Sequence, residues 1–302
     1  MSEESTIHVP VMPDEVVAQL ALSPGAIVID GTLGGGGHTQ LFADLVGAEG
    51  RVIGLDRDPE AVERTAAKLA GLANVSCVHA NYADAPEVID ELGIDAVDGI
   101  LLDLGLSSDQ LADDSRGFSF HADGPLDLRF DPTRGEPASR LISRLSAEHL
   151  ADIIYQYGEE RFSRRIARKV VETRRDHPIE TAAELADLVR RVVPRSKNHR
   201  IDPATRTFQA LRIAVNDELR NLELALERLP SMLAPGGRLA IISFHSLEDR
   251  MVKRAFRGHE LLDVLTKKPL EASVAEQSVN PRSRSAKLRV AERPQTDPTG
   301  ED

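Results

Sequence analysis

The chain of 302 residues has no tryptophan, one cysteine and only 4% aromatic residues. A single cysteine excludes an internal disulfide framework, and no Cys/His cluster has the spacing of a zinc site, so no metal ligand is assigned, and the acidic loops leave a magnesium requirement open. That cysteine, Cys77, has apolar neighbours at 75–78 and reads as a buried thiol on a strand. No apolar run approaches the ~18 residues that a membrane-spanning helix needs. The opening Met-Ser-Glu-Glu-Ser-Thr lacks the basic start and apolar stretch of a signal peptide, so a cytoplasmic location is expected. An excess of positive charge is missing too. The net charge is −12, which by itself argues against a polyanionic partner.

What is present is an ordinary globular composition, 41% hydrophobic and 28% charged, in a chain long enough for one large α/β domain or a domain with an insertion. The charge is unevenly placed. Between Arg161 and Arg212, 14 Lys and Arg stand against 6 Asp and Glu, so this stretch is +8 inside an acidic chain.

The organising stretch is Val28-Ile-Asp-Gly-Thr-Leu-Gly-Gly-Gly-Gly-His38. An apolar run at 26–29 ends in Asp30 and breaks into glycines, and helical periodicity resumes at 39–46, so a strand turns tightly into a helix. Glycines let backbone approach a ligand closely, and the helix start behind them offers free amides to a negative group. A glycine-rich turn without a ligand has the same composition. A second strand at 51–56 ends in Asp56, and helical periodicity follows from Pro59, which completes a βαβ unit. An acid at the end of the second strand of such a unit commonly accepts hydrogen bonds from ribose hydroxyls. Asp58, directly before Pro59, is the better helix cap and leaves Asp56 for a ligand.

Strands at 74–79 and 97–103 lead to Tyr82 and Asp103. Ligands bind at the carboxyl ends of parallel strands, so Asp30, Asp56, Tyr82 and Asp103 are expected in one crevice. For Asp103 an Asx turn that stabilises the loop is an equal reading. Residues 112–140 are rich in Gly, Pro, Asp and Arg, and helices are expected at 146–157, 160–174 and 181–193 with no strand among them. In the second of these, Arg161, Arg164, Arg165 and Arg168 share one face, and Arg190, Arg191, Arg195, Lys197, Arg200 and Arg206 follow. Such a face either keeps a helix in water or contacts phosphates. A helix at 216–233, the turn Leu233-Ala-Pro-Gly-Gly-Arg-Leu239 and a fifth strand ending at Phe244 resume the α/β core, and the polar cluster 245–250 follows. The expected division is 1–111 and 210–293 for the core, 112–209 for an inserted helical subdomain and 294–302 for a disordered tail.

NAD and S-adenosylmethionine both use a glycine loop and a ribose-binding acid. The loop here is no clean strand-G-x-G-x-x-G-helix, and the turn at 233–239 resembles one before the fifth strand of many class I methyltransferases. Eight motifs in order make the resemblance specific. They are Asp30-Gly-Thr-Leu-Gly-Gly-Gly-Gly-His38, Asp56-Arg-Asp-Pro59, Asp98-Gly-Ile-Leu-Leu-Asp-Leu-Gly105, Arg116-Gly-Phe-Ser-Phe120, Asp123-Gly-Pro-Leu-Asp127, Tyr157-Gly-Glu-Glu-Arg-Phe162, Ala204-Thr-Arg-Thr-Phe-Gln209 and Ser243-Phe-His-Ser-Leu-Glu-Asp-Arg250. Together they resemble the RsmH (MraW) family of bacterial 16S ribosomal RNA (cytosine-N4)-methyltransferases, over about residues 8–293.

The resemblance implies a class I, Rossmann-like methyltransferase core with a helical insertion, S-adenosylmethionine as cofactor, and methyl transfer to the N4 amine of a cytidine in the decoding region of small-subunit rRNA. By motif it implies cofactor contacts at Gly36, Gly37, His38, Asp56, Tyr82, Asp103 and Gln110. Tyr82 stands where the family often has phenylalanine, and Asp109 precedes Gln110 where proline is common, so these two contacts rest on the weakest match. Arg161, Arg164, Arg165, Arg168, Arg195, Lys197 and Arg200 would hold the RNA backbone. The general base is open among Asp103, His245 and Asp30. An NAD-dependent oxidoreductase, a methyltransferase acting on another nucleic acid or a protein, and a noncatalytic RNA-binding protein are the rival readings. The sequence leaves oligomeric state open.

Overall fold

The computed structural model describes residues 10–119, 123–194 and 202–295. Among these, the strands are β1 (Ile27–Asp30), β2 (Arg51–Asp56), β3 (Val75–His79), β4 (Val97–Asp103), β5 (Leu233–Ser243), β6 (Asp263–Val264) and β7 (Lys287–Glu292). They form one sheet in the order β3-β2-β1-β4-β5-β7-β6. The first five lie parallel, and β7 runs antiparallel to both β5 and β6.

Helices α1 (Pro13–Leu20), α2 (Gly37–Val46), α3 (Pro59–Lys68) and α4 (Ala85–Glu91) belong to the first half of the sheet. Next come α5 (Ser108–Ala112), α6 (Ala138–Arg144), α7 (Ala147–Gly158), α8 (Ser163–Asp176), α9 (Ala182–Val192) and α10 (Thr205–Asn216), without an intervening strand. The chain then returns through α11 (Glu218–Arg228), α12 (Ser246–Gly258) and α13 (Val274–Val279). Two compact units result: a sheet unit, Met1–Ser107 with Leu219–Asp302, and a helical unit, Ser108–Glu218.

The sheet is buried on both faces, which is why its strands read as nearly continuous apolar runs. Ile29, Ile53, Ile100, Leu102 and Ile241 face one core, and their chain neighbours Val28, Val52, Leu101, Ala240 and Ile242 face the other. The Pro-Gly-Gly turn lies within β5 as a register irregularity. Leu233 pairs with Val97 and Arg238 with Gly99, so the intervening residues loop out of the ladder, with Gly236 at φ +84°.

The helical unit differs from expectation at its edges. The expected divisions at 111/112 and 209/210 fall within α5 and α10, whereas the unit holds both helices whole. The reason is packing: Phe208, Ala210, Leu211 and Ile213 of α10 are all buried, and Asn216 bonds to Phe130 N and Leu128 O within the same unit. The single helix expected at 216–233 is broken at Asp217, in left-handed conformation at φ 50°, and ends at Arg228. The stretch 112–140 is irregular but pinned. Arg116 donates to the carbonyls of Arg129 and Phe130, and a Cβ at Gly124 would stand 1.7 Å from Asp114 O, so the backbones cross in contact. Of the expected tail 294–302, residues 296–302 lie outside the described residues.

Candidate active site

The site is built where β1, β2, β4 and β5 end. Asp30, the last residue of β1, is 1% exposed. Its Oδ2 accepts the Thr39 hydroxyl at 2.7 Å and its Oδ1 the Thr32 N–H at 3.2 Å. Burial outweighs these bonds and pushes the carboxyl up to about 6.

The glycine loop is held from two sides. Gly34 N–H donates to Asp56 Oδ2 at 2.8 Å, while Thr65 and Lys68 of α3 donate to the carbonyls of Gly34 (2.6 Å) and Gly35 (2.8 Å). Gly36 sits at φ +75°, and a Cβ there would lie 2.6 Å from Thr65 Cγ2, so the passage beneath α3 requires glycine. Gly37 opens α2. Asp56 Oδ1 also accepts Asp58 N–H at 2.9 Å. Counting the Arg57 amide as well, three backbone donors leave the carboxylate room for one more, and burial raises its pKa. Asp58 caps α3 by accepting from the amides of Glu60 and Ala61, as its position before Pro59 predicts.

Asp103 ends β4, and its backbone N–H donates to Thr32 Oγ1 at 2.7 Å, which ties the loop after β1 to the end of β4. Its Oδ2 lies 4.0 Å from His38 Nε2. Its Oδ1 is buried without a hydrogen-bond partner. Burial pushes the carboxyl up to about 7, against the pull of the Arg282 charge and reinforced by repulsion from Asp30, Glu248 and Glu276. The His38 ring stacks on Phe42 at 6.0 Å. Tyr82 is buried in the single turn after β3, beside the start of the loop, where a Cβ on Gly31 would come within 3.0 Å of Tyr82 Cβ.

His245 has a structural duty. It caps α12: its Nδ1 accepts the Glu248 N–H at 3.3 Å, and Glu248 Oε2 accepts the N–H groups of Phe244 and His245. With Nδ1 used as acceptor, the neutral ring carries its proton on Nε2 and is a donor, not a base.

Asp30, His38, Asp56, Tyr82 and Asp103 thus meet at the strand ends. Gln110 belongs to the helical unit, where it is buried on α5. Arg164, Arg165 and Arg168 lie exposed along α8, but Arg161 precedes that helix, in a turn closed by Glu160 Oε1 accepting Phe162 N–H at 2.8 Å. Arg195, Lys197 and Arg200 lie outside the described residues. Sequence reasoning missed Thr39, Thr65 and Lys68. The last two are spaced i, i+3 on α3 and so share the face that meets the loop. Arg282 carries no sequence signal of its role.

A doubly covered parallel sheet with one antiparallel strand beside β5, a clamped glycine loop and acids at the ends of three strands define a class I methyltransferase core. The chain belongs to the MraW methylase family, which it matches over residues 5–294. It is 51% identical over 302 residues to the ribosomal RNA small subunit methyltransferase H of Rhodopirellula baltica, covering 97% of this chain and 93% of that one. It is 52% identical to the protein of the same name from Deinococcus deserti, covering 96% and 94%.

Proposed function

We propose that this chain transfers a methyl group from S-adenosylmethionine to the N4 amine of a cytidine in the decoding region of 16S rRNA, within the small ribosomal subunit and hence in the cytoplasm. The observation that carries the choice of cofactor is the acidic set of buried Asp30 and partly buried Asp56 and Asp103, each with its pKa raised. Three carboxyls in a low-dielectric crevice attract a cationic ligand and repel the pyrophosphate of a dinucleotide. S-adenosylmethionine carries a sulfonium and an ammonium group, and the unpartnered Asp103 Oδ1 is an acceptor of the kind it needs. When bound, it supplies an electrophilic methyl group.

The chain's own groups divide the remaining work. Gly36, Gly37 and His38 form the loop wall, Asp56 offers its remaining acceptor capacity to the ribose, Tyr82 lies against the adenine, and Gln110 completes the set by motif. Asp103 serves the reacting end. A cytosine amine is a weak nucleophile because its lone pair is delocalised into the ring. An ionised carboxylate accepting one of its N–H bonds favours the pyramidal nitrogen and takes the proton as the N–C bond forms. His245 does not compete for this role, since its Nδ1 holds α12. The target base has to leave its stack to reach a crevice. Arg161, Arg164, Arg165 and Arg168, together with Arg195, Lys197 and Arg200, contact the phosphate backbone.

The test is transfer of labelled methyl to purified small subunits, with the labelled nucleoside identified, for wild type and Asp56→Ala. Label on one cytidine N4, lost in the variant, is the expected result. Absence of label on any form of the rRNA, despite cofactor binding, would overturn the assignment.

A further inference from the structure

The helical unit contains a cleft of about 640 Å³ between α8 and α9, the size of pockets that take small ligands. Its rim is cationic, with Arg165 and Arg168 from α8 and Arg191 from α9. Its floor includes Ile179 and Leu188, both buried, and Val192.

Several other arginines of the same unit are committed to acids. Arg129 is bidentate to Asp127, Arg144 binds Glu136, Arg190 binds Asp187 and Asp202, and Arg212 is bidentate to Glu218. Arg165, Arg168 and Arg191 have no carboxylate partner among the described residues. The acids within the cleft are already engaged. Glu184 closes the capping box of α9 and accepts His177, Asp187 holds Arg190, and Glu172 faces Lys169 at 3.5 Å. Arg165 is also held in place, its guanidinium 5.7 Å from the Phe162 ring centroid.

Uncommitted cations around an apolar floor suit a ligand that is an anion at one end and a flat apolar body at the other. We infer that this cleft is a second RNA subsite, which takes one splayed nucleotide of the single strand flanking the target cytidine. The phosphates lie among Arg165, Arg168 and Arg191, and the base lies against Ile179 and Leu188. The inference rests on the RNA-methyltransferase reading for the identity of the strand. A free mononucleotide offers the same chemistry, and the experiment separates the two.

The experiment is binding of a fluorescent eight-nucleotide single-stranded RNA to the full chain, wild type against the Arg165→Ala/Arg191→Ala double variant, over a range of salt. Cytidine monophosphate serves as competitor, and S-adenosylmethionine binding is measured as the control on folding. Both substituted side chains are exposed, so the variant is expected to fold and to bind the cofactor as wild type does. RNA affinity is expected to fall about tenfold at low salt, and the slope of log affinity against log salt to shrink by about 1.4, or ~0.7 for each lost phosphate contact on a single strand. An unchanged affinity and slope would overturn the subsite. So would competition by cytidine monophosphate at the oligonucleotide's own dissociation constant, which marks a free-nucleotide site. The readings fail separately. Wild type that methylates small subunits, with a variant of unchanged KM for them, removes the subsite and leaves the function. Wild type that methylates nothing but binds the oligonucleotide through these arginines does the reverse.

Discussion

The sheet unit and the helical unit use charge in opposite ways. In the sheet unit Asp30 is buried and Asp56 and Asp103 partly so, Asp30 feels the charge of Asp56 and Asp103 that of Asp30, and desolvation raises the proton affinity of all three. In the helical unit Arg164, Arg165 and Arg168 of α8 and Arg191 of α9 stay exposed and have no carboxylate partner among the described residues. A chain with net charge −12 thereby holds a short-range acidic field in one unit and an exposed basic field in the other, the signs that the proposed roles of cofactor crevice and RNA contact require. Net charge alone points away from nucleic acid. The distribution of charge does not.

Altering Asp103 breaks the acidic side of this contrast most severely. Asp103→Asn keeps the shape and removes the proton acceptor, and methyl transfer is expected to fall by about 10²- to 10⁴-fold. Single-turnover transfer to small subunits measures this. In wild type the rate should rise with pH through about 7 as Asp103 ionises, and the residual rate of the variant should not follow that limb. A variant within threefold of wild type would remove Asp103 from the chemistry.

Asp30 tests the same field through stability. Its folded pKa of about 6 lies above the ordinary 3.8, so the folded state binds more protons than the unfolded state between those values. Stability contributed by this group is therefore present at low pH, is lost as pH rises from about 4 through about 6, and stays level above that. The shift corresponds to at most about 3 kcal/mol. Asp30→Asn, which keeps an acceptor for Thr32, should flatten this part of the curve of Tm against pH. An equally steep curve in the variant would place the titration elsewhere.

Gly36→Ala separates loop geometry from charge. The new methyl group meets Thr65 Cγ2 in a left-handed backbone conformation, at a cost of about 1–3 kcal/mol. Denaturant midpoints should report that loss, and cofactor affinity should weaken with it. Pairing the change with Thr65→Ser, which keeps the hydroxyl bonded to Gly34 O, should recover part of the stability.

The acidic crevice was more legible in the sequence than the helical unit. A parallel strand announces itself as an apolar run, and its last polar residue marks the ligand edge, so Asp30, Asp56 and Asp103 could be read directly. The partners that set their behaviour could not. Thr39 meets Asp30 only once the loop has closed, and Arg282 acts on Asp103 from 179 positions away. Periodicity placed the arginines of α8 on one face but could not show that a turn at Glu160 leaves Arg161 ahead of the helix. Helix α6 was hidden for a different reason. Ala138, Leu141, Ile142 and Leu145 have helical spacing, but they directly follow a stretch whose glycines and prolines suggest only loop.

The smallest expected effect comes from Arg282, a cation in the acidic crevice. It lies in the turn Pro281–Ser285, which is anchored by the Ser283 hydroxyl on Asn280 O and by Asn280 on Pro10 O. Its charge favours the ionised form of Asp103 and so lowers a proton affinity that burial has raised. Arg282→Gln removes that pull, the Asp103 pKa rises, and the midpoint of the pH–rate curve should move above about 7. Transfer should then be slower than wild type at pH 7 and should converge with it at pH 9, where Asp103 is ionised in both. A uniform loss at every pH would mean that Arg282 holds structure or substrate. An unmoved midpoint with unchanged rates would mean that the group titrating near 7 is not Asp103.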